Sequence, residues 1–447
     1  MEKENQKLAL LGSAPVHKAL LAMGLPTMIG MMINALYNLA DAWFVSGLGT
    51  TEMGAVSVVF PLGQVAVGLG LLFGSGAASY LSRLLGRGER EAASKTASTA
   101  LYSALLVGAA AILCMVVLLE PILRLMEVSE GIMPHALVYA RIYLLSCIFN
   151  VFNVTMNNIS AGEGAAKTAM GALLSGAVLN IALDPLCIYT LHLGVAGAAI
   201  ATAVSQVVST AVYLAYIRSG KSALSFHIKH FSPNREILSE ILKIGVPTLV
   251  FQLLTSLSII LVNRQAAVYG DGAVAAMGAV TRVTSMGSLM VFGFLKGFQA
   301  IAGFSYGAKN FSRLREVIRT ALLWSTGFCL LFGLGLVLLA PGIIGQFAKD
   351  EMQILSVGVP ALRAAGASFP LFGFYTVYSF LLLALGRGRP GFFLGACRQG
   401  ICFVPVILIF PALWGITGIF LAQPAADVLS AAAAAVTALR LSRELSA

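Results

Sequence analysis

Long apolar runs dominate the chain, interrupted at intervals by short polar turns. Runs such as 99–119, 238–267 and 322–340 are of the length that carries a helix across a bilayer, which takes about 20 residues. Dividing the sequence at its polar turns yields twelve such spans, at roughly 18–46, 53–80, 95–119, 134–159, 165–191, 194–217, 237–269, 274–304, 315–340, 353–385, 390–413 and 415–439. The pattern predicts an all-α integral membrane protein. Within spans, the sparse polar residues recur at helical spacing. Asn34, Tyr37, Asn38 and Asp41 fall at i, i+3, i+4 and i+7, so one face of the first helix is polar and the rest is apolar.

Composition strengthens this picture. Hydrophobic residues make up 58% of the 447 and charged residues only 11%, where a soluble domain has about 25% charged. The first 17 residues are polar and lack a small-residue cleavage site, so no signal peptide is expected. The net charge of +10 raises the question of a nucleic-acid partner, and its placement argues against one. With both termini cytoplasmic, 20 of the 29 Lys and Arg residues fall in inside segments, against Arg124, Arg141 and Lys349 outside. That asymmetry is the positive-inside pattern of a multi-pass membrane protein. The six cysteines lie in apolar spans without metal-type spacing and read as small hydrophobes.

A repeat organises the chain. Gly24-Leu25-Pro26-Thr27 recurs 221 residues later as Gly245-Val246-Pro247-Thr248. At the same offset Gly86 matches Gly307, and Gly194-Val195-Ala196-Gly197 matches Gly415-Ile416-Thr417-Gly418. Residues 1–217 and 237–447 therefore read as two homologous six-helix lobes, joined by a basic cytoplasmic linker at 218–236. Six spans per half leave the halves in the same orientation, a duplication typical of transporters with a substrate path between the halves. The linker holds Gly220-Lys221-Ser222, but a phosphate loop requires glycine at position 215, which is Ala215. An ATP motor is thereby excluded, and transport would draw on an ion gradient or be passive.

Of the 19 acids only Asp41, Asp184 and Asp427 sit well inside spans. A charge at that depth costs several kcal/mol unless paired, hydrated or neutralised, so these are functional candidates or partners of an intramembrane Arg. Asn180 and Asp184 share a helix face at i, i+4, and the sixth span adds Thr202, Ser205 and Gln206. Two carboxylates, an amide carbonyl and a hydroxyl are oxygen ligands suited to Na⁺, and the same carboxylates could carry H⁺. The position matching Asp41 in the second half is Val262, so a coupling site is expected in the first half only. Pro26 removes a backbone hydrogen bond inside the first span and is a candidate hinge.

The fourth span carries Asn150, Asn153 and Asn157 in one stripe, which lines a wet cavity or a helix contact. Gln252 and Ser256 are candidates for the opposite wall. Four cations, Arg264, Arg282, Lys296 and Arg398, fall in or at the ends of second-half spans. They could pair with Asp427, bind an anionic substrate group, or snorkel to the interface; for any one of them alone, snorkelling is the default.

These residues carry a resemblance. Tyr37-Asn38-Leu39-Ala40-Asp41-Ala42-Trp43-Phe44, Leu179-Asn180-Ile181-Ala182-Leu183-Asp184-Pro185 and Gly303-Phe304-Ser305-Tyr306-Gly307-Ala308-Lys309-Asn310 are similar to motifs of the multidrug and toxic compound extrusion (MATE) family, nearest its prokaryotic DinF-like branch. The resemblance implies a V-shaped fold of twelve helices and H⁺- or Na⁺-coupled export of amphiphilic, often cationic drugs through the inner membrane. It further implies a cation site of Asp41, Asn180, Asp184 and Thr202, with Tyr37 beside it and Pro26 as the bending point. No cofactor, catalytic group, nucleic acid or obligatory oligomer is expected; membrane lipid is the surrounding partner. The alternative is a lipid-linked oligosaccharide flippase of the same superfamily, to which the second-half cations lend some weight. An enzyme reading finds no catalytic motif.

Overall fold

The computed structural model describes residues 2–126, 128–348 and 352–446; Lys349 lies outside the described residues. Twelve helices among them are long and apolar enough to cross a membrane: α1 (Val16–Ser46), α2 (Thr51–Gly86), α3 (Arg90–Val117), α4 (Met133–Gly162), α5 (Ala166–Thr190), α6 (Gly194–Arg218), α7 (Arg235–Ala267), α8 (Asp271–Gly307), α9 (Phe311–Phe347), α10 (Met352–Ala384), α11 (Gly388–Trp414) and α12 (Ile416–Glu444). The protein is a multi-pass membrane protein with the twelve-helix architecture expected from its apolar periodicity. A short helix, Glu2–Gly12, precedes α1. Start signals are local: the Asn234 side chain accepts the backbone N–H of Ile237 at 2.8 Å and caps α7.

The helices form two six-helix lobes. In the first, α2 packs on α3 and α4, α6 on α4 and α5, and α1 on α5. In the second, α10 is central, against α8, α9 and α12, while α11 leans on α12 and α7. The lobes meet where α1 crosses α8 and where α2 crosses α7 and α8. These crossings are at backbone distance: a Cβ on Gly245 would overlap the Leu72 carbonyl, and one on Gly297 would overlap the backbone at Gly24. Small residues are what let membrane helices approach so closely. Thr27 donates to the Gly293 carbonyl at 2.6 Å, which ties the turn around Pro26 to the opposite lobe.

Polar contacts tie the junction together at the end of the bundle that carries the termini. There Arg83 of α2 pairs with Glu240 of α7 at 3.0 Å, and the Ser79 hydroxyl donates to the Leu383 carbonyl at 2.5 Å. Arg313 of α9 donates to the Leu11 and Ala14 carbonyls at 3.2 and 2.6 Å. The segment 218–236 lies along α3: Ser98 and Tyr102 donate to the carbonyls of Ser225 and Phe226 at 3.0 and 2.9 Å. Its Ser222, from the Gly-Lys-Ser triplet, donates instead to buried Glu163 at 2.7 Å.

Candidate functional site

A cavity of about 680 Å³ lies between the lobes. From the first lobe, Asn34, Tyr37, Asn38, Asn150, Asn153, Asn157, Asn180 and Thr202 line it. The second lobe contributes Gln252, Lys296, Arg398 and Asp427 with an aromatic wall that includes Phe251, Phe292, Phe369 and Phe372. The first wall is neutral and rich in amides, whereas the second holds rings and, among the described residues, every charge that reaches the cavity.

Behind the first wall sits the acidic cluster. Asp184 is fully buried near the end of the regular part of α5 and Asn180 lies one turn before it, 1% exposed. Pro185 follows, with no N–H to donate, and the helix widens into a π turn over Leu186–Thr190. π turns cluster at functional sites because the extra residue re-aims its neighbours. Asp41 of α1 and Asp184 are electrostatic neighbours, and Tyr37 lies beside both. The Asn180 amide donates to the Thr202 hydroxyl of α6 at 3.4 Å. Four buried acceptors of this cluster find no hydrogen-bond donor among the described residues: Asp41 Oδ1, Asn180 Oδ1 and both carboxylate oxygens of Asp184. Leaving a buried acceptor unmade costs roughly 1–3 kcal/mol, and more when it is charged. A proton or a hard cation bound among these oxygens removes that cost.

The asparagine stripe does both things its pattern allowed. It lines the cavity and it knits α4 to α6: Asn153 donates to Gln206 Oε1 at 2.8 Å and accepts from Thr210 at 3.0 Å, while Asn157 donates to Tyr213 Oη at 3.3 Å.

On the second lobe, Arg398 Nε donates to Asp427 Oδ1 at 2.7 Å, and both side chains are buried. Ser368 donates to the other carboxylate oxygen at 2.8 Å and Gln423 adds a bond of 3.1 Å. The guanidinium also stacks 4.3 Å from the centre of the Phe372 ring. Arg398 occupies another π turn, Cys397–Ile401. Such a turn frees backbone carbonyls, and side chains collect them here: Ser258 donates to the Gln399 carbonyl at 2.7 Å and Tyr375 to that of Leu394 at 2.7 Å.

Two expectations from the sequence, both about cavity residues, require correction. Arg282 and Ser256, named there as cavity residues, are exposed and do not line it; their helix faces turn outward, and Ser256 donates only to its own helix at Gln252. Arg264 is likewise exposed. For Arg398, of the readings the sequence left open, pairing with Asp427 is the one found. Sequence reasoning overlooked Asn158, Thr255 and Ser258, which also border the cavity, and the aromatic wall. Phe369, Phe372 and Thr376 recur at i, i+3 and i+7 on α10, a signal that could have found that wall.

Comparison with known proteins agrees with this geometry. The MatE family model matches residues 26–186 and again residues 247–409, one match in each lobe. The chain belongs to the multidrug and toxic compound extrusion (MATE) family. Multidrug export protein MepA of Staphylococcus aureus (strain NCTC 8325 / PS 47) is 30% identical over 433 residues, covering 96% of this chain and 95% of the relative. A crystal structure of a MATE protein in complex with MaL6 superposes with a TM-score of 0.93 at 29% identity and covers 99% of both chains. A transporter of the MOP superfamily from Pyrococcus furiosus, described as having a binding pocket of reverse polarity, superposes at 0.91 with 30% identity and 99% coverage of both. The MATE fold thus extends over essentially the whole chain.

Proposed function

We propose that this protein is a multidrug exporter of the inner membrane, exchanging amphiphilic drugs for H⁺ or Na⁺ by alternating access. The observation that carries the reading is the set of orphaned oxygens on Asp41, Asn180 and Asp184 immediately behind the wall of an inter-lobe cavity. The similar MepA, named as a multidrug exporter, supports the class of cargo. With both termini facing the cytoplasm, the end bound by Arg83–Glu240 is the cytoplasmic gate.

The cation is the driving substrate. Asp41, Asn180 and Asp184 supply its oxygens, Thr202 supplies a hydroxyl, and Tyr37 bridges the cluster to the cavity. Binding there draws α1 and α5 together and alters the neutral wall formed by Asn34, Tyr37 and Asn38. The drug leaves when the cation is preferred in that state; a ligand with equal affinity for both states would shift nothing. Pro26, clamped against α8 through Thr27, is the point where α1 bends as the lobes exchange.

The test is ethidium efflux from cells or everted vesicles, comparing wild type with Asp41→Asn while the proton and sodium gradients are collapsed separately. Wild-type efflux should stop with one gradient only, and the well-expressed variant should export nothing. Normal efflux by Asp41→Asn would sink the coupling mechanism.

A further inference from the structure

Three charged side chains line the cavity: Lys296, Arg398 and Asp427. Two of them cancel, since Arg398 and Asp427 form a close buried pair. Lys296 makes no hydrogen bond or ion pair with any described residue. It stands on α8 eleven residues before Gly307, about 16 Å along the helix axis. The cavity and the adjoining crevice are the surroundings that its side chain lines. Intramembrane lysines are costly and mark ligand paths.

The face of α8 that carries Lys296 is ordered. Ser285, Ser288, Phe292 and Lys296 all line the cavity and follow one helical stripe. The Phe292 ring lies edge-on to Phe251 and Phe372, with centroids 6.0 and 5.6 Å away, and stacks on Phe380 at 6.0 Å. Lys296 therefore ends an aromatic slot. It also borders a crevice shared with Ala78, Asn158 and Gly162 of the first lobe, between the lobes and next to the α1–α8 crossing.

We propose that Lys296 anchors a carboxylate on amphiphilic aromatic substrates, so that the second-lobe wall is a subsite for aromatic carboxylates. The inference rests on the export reading, in that the cavity is taken as the cargo cavity. It narrows the cargo: the ring system lies among Phe251, Phe292 and Phe372, the anionic end meets Lys296, and the amide-lined wall of the first lobe accommodates varied polar groups. A charge-assisted hydrogen bond in a water-poor site is what distinguishes such a carboxylate from its neutral isostere.

The test uses the purified full-length protein in nanodiscs with no ion gradient. Binding of 6-hexyloxy-2-naphthoate and of its primary amide is read by fluorescence for wild type, Lys296→Gln and Lys296→Arg. Wild type should favour the carboxylate by about tenfold. Lys296→Gln should erase that preference and Lys296→Arg should restore part of it. Equal affinities in wild type, or a preference intact in Lys296→Gln, overturn the proposal. Where Lys296→Gln does not fold, acylation of Lys296 in the wild-type protein is followed by peptide mass spectrometry. Slower acylation with carboxylate than with amide supports the anchor, and equal rates overturn it. Because no gradient is applied, loss of the preference alongside intact ethidium efflux rejects the subsite alone. A preference without efflux rejects the export reading alone.

Discussion

Asp184 of the first lobe and Asp427 of the second are almost equally buried, 0% and 2% exposed, yet their carboxylates are treated in opposite ways. Asp427 receives Arg398, Ser368 and Gln423, so its charge is cancelled and its oxygens are satisfied. Asp184 receives no donor from the described residues, and Asp41 Oδ1 and Asn180 Oδ1 beside it are also orphaned among them. The repeat does not align them: at the offset of 221 residues Asp184 corresponds to Pro405, and Asp427 to Gln206. Two lobes of one ancestry have thus placed their buried acid on different helices for different ends. A satisfied carboxylate is part of the wall. An unsatisfied one is a place where an ion or proton can arrive and leave, since nothing in the protein competes for it.

The comparison breaks most sharply on paired substitutions. Asp184→Asn should reduce efflux by roughly a hundredfold, at the upper end of coupling free energies between sites. Its melting temperature should hold or rise, because a carboxylate without donors has been removed. Arg398→Ala should do the reverse to stability. It leaves Asp427 buried and unpaired, which costs about 3–5 kcal/mol, a large drop in melting temperature read in detergent. If Asp184→Asn were the destabilised variant and Arg398→Ala the tolerated one, the assignment of roles to the two acids would be inverted.

Glu163 sharpens the comparison from a third side. It is fully buried just beyond α4, outside the spans, and accepts from Tyr216 at 2.6 Å, Ser222 at 2.7 Å and the Ala223 N–H at 2.9 Å. Burial raises its carboxyl above the usual carboxylate range, opposed by Lys7 and by those three donors. A carboxyl raised on folding contributes stability that is full below its unfolded value and lost as pH rises through its folded one. Wild type should therefore melt higher at mildly acid pH than at alkaline pH. Glu163→Gln, which cannot ionise, should lessen that difference by about a degree or two. A pH dependence identical in the two proteins would show that Glu163 does not titrate differently on folding.

Much of this was legible before any coordinates. The spans are readable because lipid demands long apolar stretches, and their ends moved only slightly: 95–119 became Arg90–Val117 and 237–269 became Arg235–Ala267. The grouping of Asn34, Tyr37 and Asn38 on one face followed from helical spacing, and that face lines the cavity. What spacing cannot give is which face looks inward. Gln252 and Ser256 are one turn apart, yet the cavity stripe of α7 runs through Gln252, Thr255, Ile259 and Val262, leaving Ser256 outside. Nor could spacing choose which of the four cations pairs with Asp427, because the π turn at Cys397–Ile401 shifts the helical register in which Arg398 would be placed.

The smallest expected effect tests that last lesson. Arg282 and Lys296 lie on the same helix, α8, and composition alone treats them as equivalent buried cations. The structure separates them: Arg282 is exposed, and Lys296 lines the cavity. An exposed arginine off the cavity wall, with no ion pair among the described residues, contributes little to binding, commonly under about 0.5 kcal/mol. Arg282→Gln should hence change efflux of both ethidium and an aromatic carboxylate by less than about twofold, and Ser256→Ala likewise. The informative measurement is the ratio between the two cargoes, since expression level cancels in it. A ratio shifted by Arg282→Gln as much as by Lys296→Gln would mean that α8 turns about its axis during transport, carrying Arg282 into the path. The side chains exposed here would then belong to the cavity of the other state.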